Sequence, residues 1–166
     1  MDVGNGMLYA VSVVDGLVHQ LGGIRLSMEC KLIKSFRGGC PTGKAVSTSQ
    51  GNEALQKVYD GIIHTAPPFY AHDENPIEAL QSCYRSSFDI AFDGAVRVAC
   101  PLIGAGARGF PVTEATHIAA SESLAWRDTE DTEGDENREK AIVFGIPDLS
   151  IAENLVQSLE SKNQYK

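Results

Sequence analysis

The residues best placed to do chemistry are three glycines, Gly104, Gly106 and Gly109, in the run Leu102-Ile103-Gly104-Ala105-Gly106-Ala107-Arg108-Gly109-Phe110-Pro111. A β-type run at 96–100 precedes them, and a helix is expected to start at Val112. Glycines lack the Cβ that keeps a backbone away from a ligand, so such a loop can bend sharply and bring its N–H groups close to it. Between a strand and a helix N-terminus, that geometry suits an anion, usually a phosphate. The same spacing satisfies the dinucleotide fingerprint, but the context does not. That fingerprint opens the first strand–helix turn and needs an acidic residue about 20 positions on, at the end of a second strand. Here the loop comes late, and Glu122 falls inside a helical pattern.

Other spacings lead nowhere. Gly38-x-x-x-x-Gly43-Lys44 approaches a P-loop, yet Ala45 stands where a magnesium-binding Ser or Thr is needed and no strand precedes it. His19, His64, His72 and His117 show no H-x-x-x-H or H-E-x-x-H spacing, so no metal site is expected. For any one of them a surface or satisfied core role is the commoner outcome. There is no G-x-S-x-G nucleophile elbow.

The elements that must position the loop follow from periodicity. Val14, Leu17, Val18 and Leu21 take helical spacing within 6–22, and a second short helix is expected over 25–34. Residues 38–43 read as a turn, 45–48 as a strand, and 58–66 as another, closed by Pro67-Pro68. Asn75-Pro76-x-Glu78 opens a helix whose inner face is Ile77, Leu80, Tyr84, Phe88 and Ala91. A helix from Val112 to about Trp126 follows the glycine loop. Residues 127–140 hold seven acidic and three basic side chains and read as a solvated acidic surface loop. A buried strand is expected at 141–146. Ser150-x-x-Glu153 then forms a capping box for a last helix with Ile151, Leu155, Val156 and Leu159 inward. Strands alternating with helices give an α/β sandwich.

Composition bounds the function. The chain has 166 residues, enough for one domain, 1–166, with a full core. A net charge of −8 argues against direct nucleic-acid binding and against anionic membranes. A phosphate-bearing small molecule stays allowed, because a glycine loop binds through local dipoles. Cys30, Cys40, Cys83 and Cys100 lack C-x-x-C spacing, which points to reduced thiols in an intracellular protein, cytoplasmic or nuclear. No secretory leader or membrane span is expected.

Four segments, in order, resemble the macro domain. Val14-Asp15-Gly16-Leu17-Val18-His19, Cys40-Pro41-Thr42-Gly43-Lys44-Ala45-Val46 and Ile62-Ile63-His64-Thr65 are similar to its V-D-G-A-I-H, C-P-T-G-E-A and V-I-H-T stretches. The glycine loop resembles its second phosphate loop. The resemblance implies a three-layer α/β/α sandwich with a mixed central sheet, binding ADP-ribose in a cleft at the strand ends. It implies that Gly104, Ala105, Gly106, Ala107, Arg108 and Gly109 wrap the diphosphate, with Phe110 beside the distal ribose. Asn5 stands ten positions before Asp15, the family spacing of the pair that orients that ribose and the attacking water in hydrolytic members.

Two departures are visible. The family's glycines before V-D-G are here Ala10-Val11-Ser12-Val13, which costs close approach to the ligand. The resemblance also implies that the given residues begin about where the family's second strand ends, so a counterpart of the first strand, with its adenine-reading aspartate, is not expected among them. An apolar adenine clamp near Pro147 is the remaining expectation. Three readings stay open: a module binding ADP-ribose or an ADP-ribosylated protein, an ADP-ribosyl ester hydrolase using Asn5 and Asp15, and a macro fold without ligand binding. The hydrolase would clear mono-ADP-ribose from protein carboxylates or deacetylate O-acetyl-ADP-ribose. No cofactor beyond the ligand is expected, and a monomer is.

Overall fold

This computed structural model describes residues 13–130 and 140–163. The order is α1 (Val13–Arg37), β1 (Ala45–Thr48), α2 (Glu53–Gln56), β2 (Ile62–Thr65), α3 (Pro76–Phe92), β3 (Arg97–Cys100), α4 (Val112–Glu130), β4 (Ala141–Phe144) and α5 (Leu149–Asn163). The expected α/β class holds, and every element from β1 to α5 overlaps a segment expected from the sequence, α2 excepted.

Strand pairing is local. β1 runs antiparallel to β2, with Val46 opposite His64, and β3 runs parallel to β4, with Val98 opposite Ile142. Both orientations of a mixed sheet are therefore present. Among the described residues, however, no ladder joins β2 to β3, so the strands form two ribbons. A strand bonds only through its two edges, and no described strand lies between those two.

α1 is two helices in one span. Gly23 has φ 63° and ψ −153°, outside the helical region, which matches the two separate helices read from the pattern. The break docks on the loop after β1: Asn52 N–H donates to the Gly22 carbonyl at 3.0 Å, and a Cβ on Gly23 would strike the Asn52 side chain. The expected inward stripe is not found. Leu26 and Cys30 are buried, whereas Val14, Leu17 and Leu21 are about half exposed.

The main core lies elsewhere. Leu80, Tyr84 and Phe88 of α3 pack with Ala115, Ile118 and Ala119 of α4 and Leu155 of α5. The i, i+4, i+8 spacing of the first three stacks them on one helix face. Ile77 is exposed, contrary to expectation, because it sits on the first turn before α3 reaches its neighbours.

Three further expectations are corrected. α4 runs on to Glu130, so the acidic segment begins within a helix; residues 131–139 lie outside the described part. β4 is half-buried, with Val143 exposed, because it is paired on one edge and covered on one face. At α5 the cap is Asp148, whose Oδ1 accepts from the amides of Ser150 (2.9 Å) and Ile151 (3.2 Å). The Ser150 capping box is displaced because the helix starts at Leu149, two residues before the start that box requires. Val156 is half-exposed, on the outer side of α5.

Candidate functional site

The glycine loop joins the C-terminal end of β3 to α4, and buried groups hold both its ends. The Ile103 amide donates to the Tyr84 hydroxyl at 2.9 Å, and Tyr84 is fully buried on α3. Burial pushes that phenol well above its usual range, so it stays protonated and neutral. Phe110 N–H donates back to the Gly104 carbonyl (3.2 Å), and Gly109 N–H to the Gly106 carbonyl (3.0 Å). From outside, Tyr70 N–H donates to the Arg108 carbonyl at 2.9 Å, tying the segment after Pro67-Pro68 onto the loop.

These bonds leave the middle of the loop available. Among the described residues, the amides of Gly104, Ala105, Gly106 and Ala107 make no hydrogen bond to a backbone carbonyl. Such donors need water or a ligand.

The three glycines do different work. Gly104 has φ +92°, and a Cβ there would meet Leu80 at 3.0 Å and Phe110 at 3.1 Å, so the fold itself demands glycine. Gly109 has φ +76° but open space around it. Gly106 has no left-handed φ, and no atom lies within 4 Å of the point where a Cβ would stand. No packing reason accounts for Gly106. The space its missing side chain leaves is outside the protein.

Arg108 and Phe110 are placed by aromatic neighbours. The Arg108 guanidinium lies 4.2 Å from the centre of the Phe69 ring, beside a cleft of about 500 Å³ lined also by Cys40, Pro41, Pro67 and Asp73. Phe110 is buried, 5.0 Å from the Tyr70 ring, and its side chain belongs to the core. Sequence spacing does not single out Tyr84, Phe69 or Tyr70 as supports of the loop. For Tyr84 no local signal exists, since its helical spacing reads as core. The Pro-Pro-Phe-Tyr run is the one available cue for the other two.

Asp15 stands on the first turn of α1, its side chain 13% exposed and its Oδ1 3.7 Å from His19 Nε2. Its charge also reaches Cys30. Asn5 lies outside the described residues. The loop residues 104–110 are thus brought together as one unit, while Asp15 is grouped with His19 and Cys30.

The remaining motifs are structural. Cys40 is buried and its thiol donates to the Lys44 carbonyl at 3.1 Å, while Gly43 N–H donates to the Ala66 carbonyl at 3.0 Å. Gly43 has φ +80° and faces Ser82 of α3. This turn fastens β1 to β2 and α3, which accounts for the near-P-loop spacing without a phosphate. Glu122 is buried in α4 and accepts from Arg85 Nε at 2.8 Å. All four cysteines are buried. No described helix is long and apolar enough to cross a membrane.

Comparison with known proteins identifies the family. The macro domain family model matches residues 4–119. A macro domain-containing protein of Caldanaerobacter subterraneus subsp. tengcongensis is 38% identical over 121 residues, 72% of this chain and 67% of the relative. O-acetyl-ADP-ribose deacetylase 1 of Pantoea vagans is 36% identical over 124 residues, 72% of this chain and 68% of the relative. Among solved structures, the Oceanobacillus iheyensis macrodomain with ADP superposes with a TM-score of 0.82, covering 99% of this chain and 84% of that one at 22% identity. The chain belongs to the macro domain family.

Proposed function

We propose that the chain binds ADP-ribose or a related ADP-ribosyl ligand, with residues 104–109 cradling the diphosphate. One observation carries this reading: four successive amides, 104–107, are spare in a loop whose flanks are tied down by Tyr84, Tyr70 and its own carbonyls. A preorganised row of N–H donors before a helix N-terminus stabilises a phosphate without reorganisation when it arrives. Open space at Gly106 admits the phosphate oxygens, and Arg108 adds a positive charge at the rim. The O. iheyensis macrodomain solved with ADP and a Trypanosoma brucei macrodomain solved with ADP-ribose support this choice of ligand.

Isothermal titration with ADP-ribose tests it. The expected result is saturable heat for the natural chain and none for Gly106→Val, with both proteins equally stable. Absence of heat from the natural chain would leave a macro fold without this ligand.

A second reading, ester hydrolysis, is favoured by Asp15 and by the deacetylase name of the P. vagans relative. Water would attack the acyl carbonyl, the bond from the acyl carbon to the ribose oxygen would break, and the ribose hydroxyl would leave with a proton. Asp15 would orient that water. Acetate release from O-acetyl-ADP-ribose, lost in Asp15→Ala while ADP-ribose binding persists, is the outcome this reading requires.

A further inference from the structure

Away from the glycine loop, His19 and Cys30 of α1 and His64 of β2 each offer a ligand atom, and the three lie within 4.8 Å of one another. The break in α1 makes this possible. In one continuous helix, residues eleven apart would be separated by about 16 Å along the axis. At Gly23 the chain turns instead, and the two half-helices present His19 and Cys30 to the same point.

We propose that this cluster is a zinc-class cation site, with His19, Cys30 and His64 as ligands. An ion equidistant from three atoms no more than 4.8 Å apart would stand about 2.8 Å or less from each, so a contraction of up to roughly 0.5 Å for sulfur and 0.8 Å for nitrogen gives zinc bond lengths. Cys30 Sγ and His64 Nε2 are already 4.0 Å apart, near the separation of two tetrahedral zinc ligands. Two imidazoles and a thiolate form a borderline-soft donor set, which selects zinc over magnesium or calcium. Asp15, 3.7 Å from His19 Nε2, is in reach as a fourth donor.

The Thr48 hydroxyl sits 2.8 Å from His64 Nε2 and would yield that nitrogen to the ion.

Titration of the full chain, freed of metal by a chelator, with cobalt(II) and then zinc decides the matter. Expected are one equivalent of cobalt, a thiolate-to-cobalt charge-transfer absorption in the near ultraviolet, and bleaching of that band by zinc. Cys30→Ser removes the band. Because a buried change can impair folding, His19→Ala, on a partly exposed side chain, is the second variant; it weakens cobalt binding by about tenfold or more with an unchanged circular dichroism spectrum. A folded natural chain that shows no charge-transfer band overturns the proposal, as does binding that both variants leave intact.

Discussion

The two halves of this molecule are packed to different standards. In the C-terminal half, Tyr84, Phe88, Phe92 and Trp126 form a ring-to-ring chain, with the Phe92 and Trp126 centroids 3.8 Å apart, and α3, α4 and α5 close around them. In the N-terminal half the buried cluster is Cys30, Cys40 and Ala66, with Val46 against it, while Leu17, Ile24, Met28, Leu32 and Phe36 of α1 face outward. Phe88 is 1% exposed and Phe36 is 83% exposed. Burial of a large apolar side chain stabilises by about 1.5–3 kcal/mol, so the C-terminal half supplies most of what the described residues contribute. The difference has a functional meaning. The glycine loop stands on the tight half, through Tyr84 and Leu80, whereas Asp15 stands on the loose one.

The strongest way to break this comparison is to empty one core and trim the other surface. Phe88→Ala is expected to cost about 3–5 kcal/mol in urea unfolding, from lost transfer energy and the cavity left behind. An effect below that of an exposed α1 substitution would refute the division.

Alkaline unfolding sharpens it. Burial pushes the Cys100 thiol up to about 12, against 9.0 for a free thiol. The raised value means the folded state keeps a proton the unfolded chain releases, so the stabilisation is complete below pH 9 and is lost progressively as pH rises toward 12. At pH 10 the loss from this group is on the order of 1 kcal/mol. Denaturant midpoints should fall between pH 8 and pH 10, and less so in Cys100→Ala.

Within the loop, Gly104→Ala is expected to destabilise by about 1–3 kcal/mol, since a left-handed φ and contact with Leu80 both oppose the new methyl. Gly106→Ala should leave the thermal midpoint unchanged and act on ADP-ribose affinity alone. Equal melting shifts would mean that Gly106, too, serves packing.

The smallest effect belongs to the outer side of α1. Leu17→Ser should change stability by no more than about 0.5 kcal/mol, the usual range for an exposed position. A larger loss would show that this side is covered in solution.

Local pattern carries most of the element order. Ile62-Ile63-His64-Thr65 is β-branched at three of its four positions and reads as a strand, and Pro76 with the 80, 84, 88 spacing reads as a buried helix face. The glycine loop is equally legible, because glycines at 104 and 109 mark turns whose backbone is left-handed. The cap of α5 stands two residues before the one the spacing picks, since Asp148 and Ser150 both cap well and only the helix start distinguishes them. The outward apolar side of α1 escapes the pattern because periodicity shows that a helix has an apolar stripe but not what lies opposite it.

What the sequence determined by itself is whatever depends on neighbours along the chain: turns, helix starts, strand propensity and the family motifs. Tertiary structure alone decided that Tyr84 pins Ile103, that Gly106 faces open space while Gly104 does not, and that His19, Cys30 and His64 meet. Those facts depend on contacts between residues far apart in sequence, whose distances are set by how α1, α3 and the ribbons pack, and no local spacing encodes them.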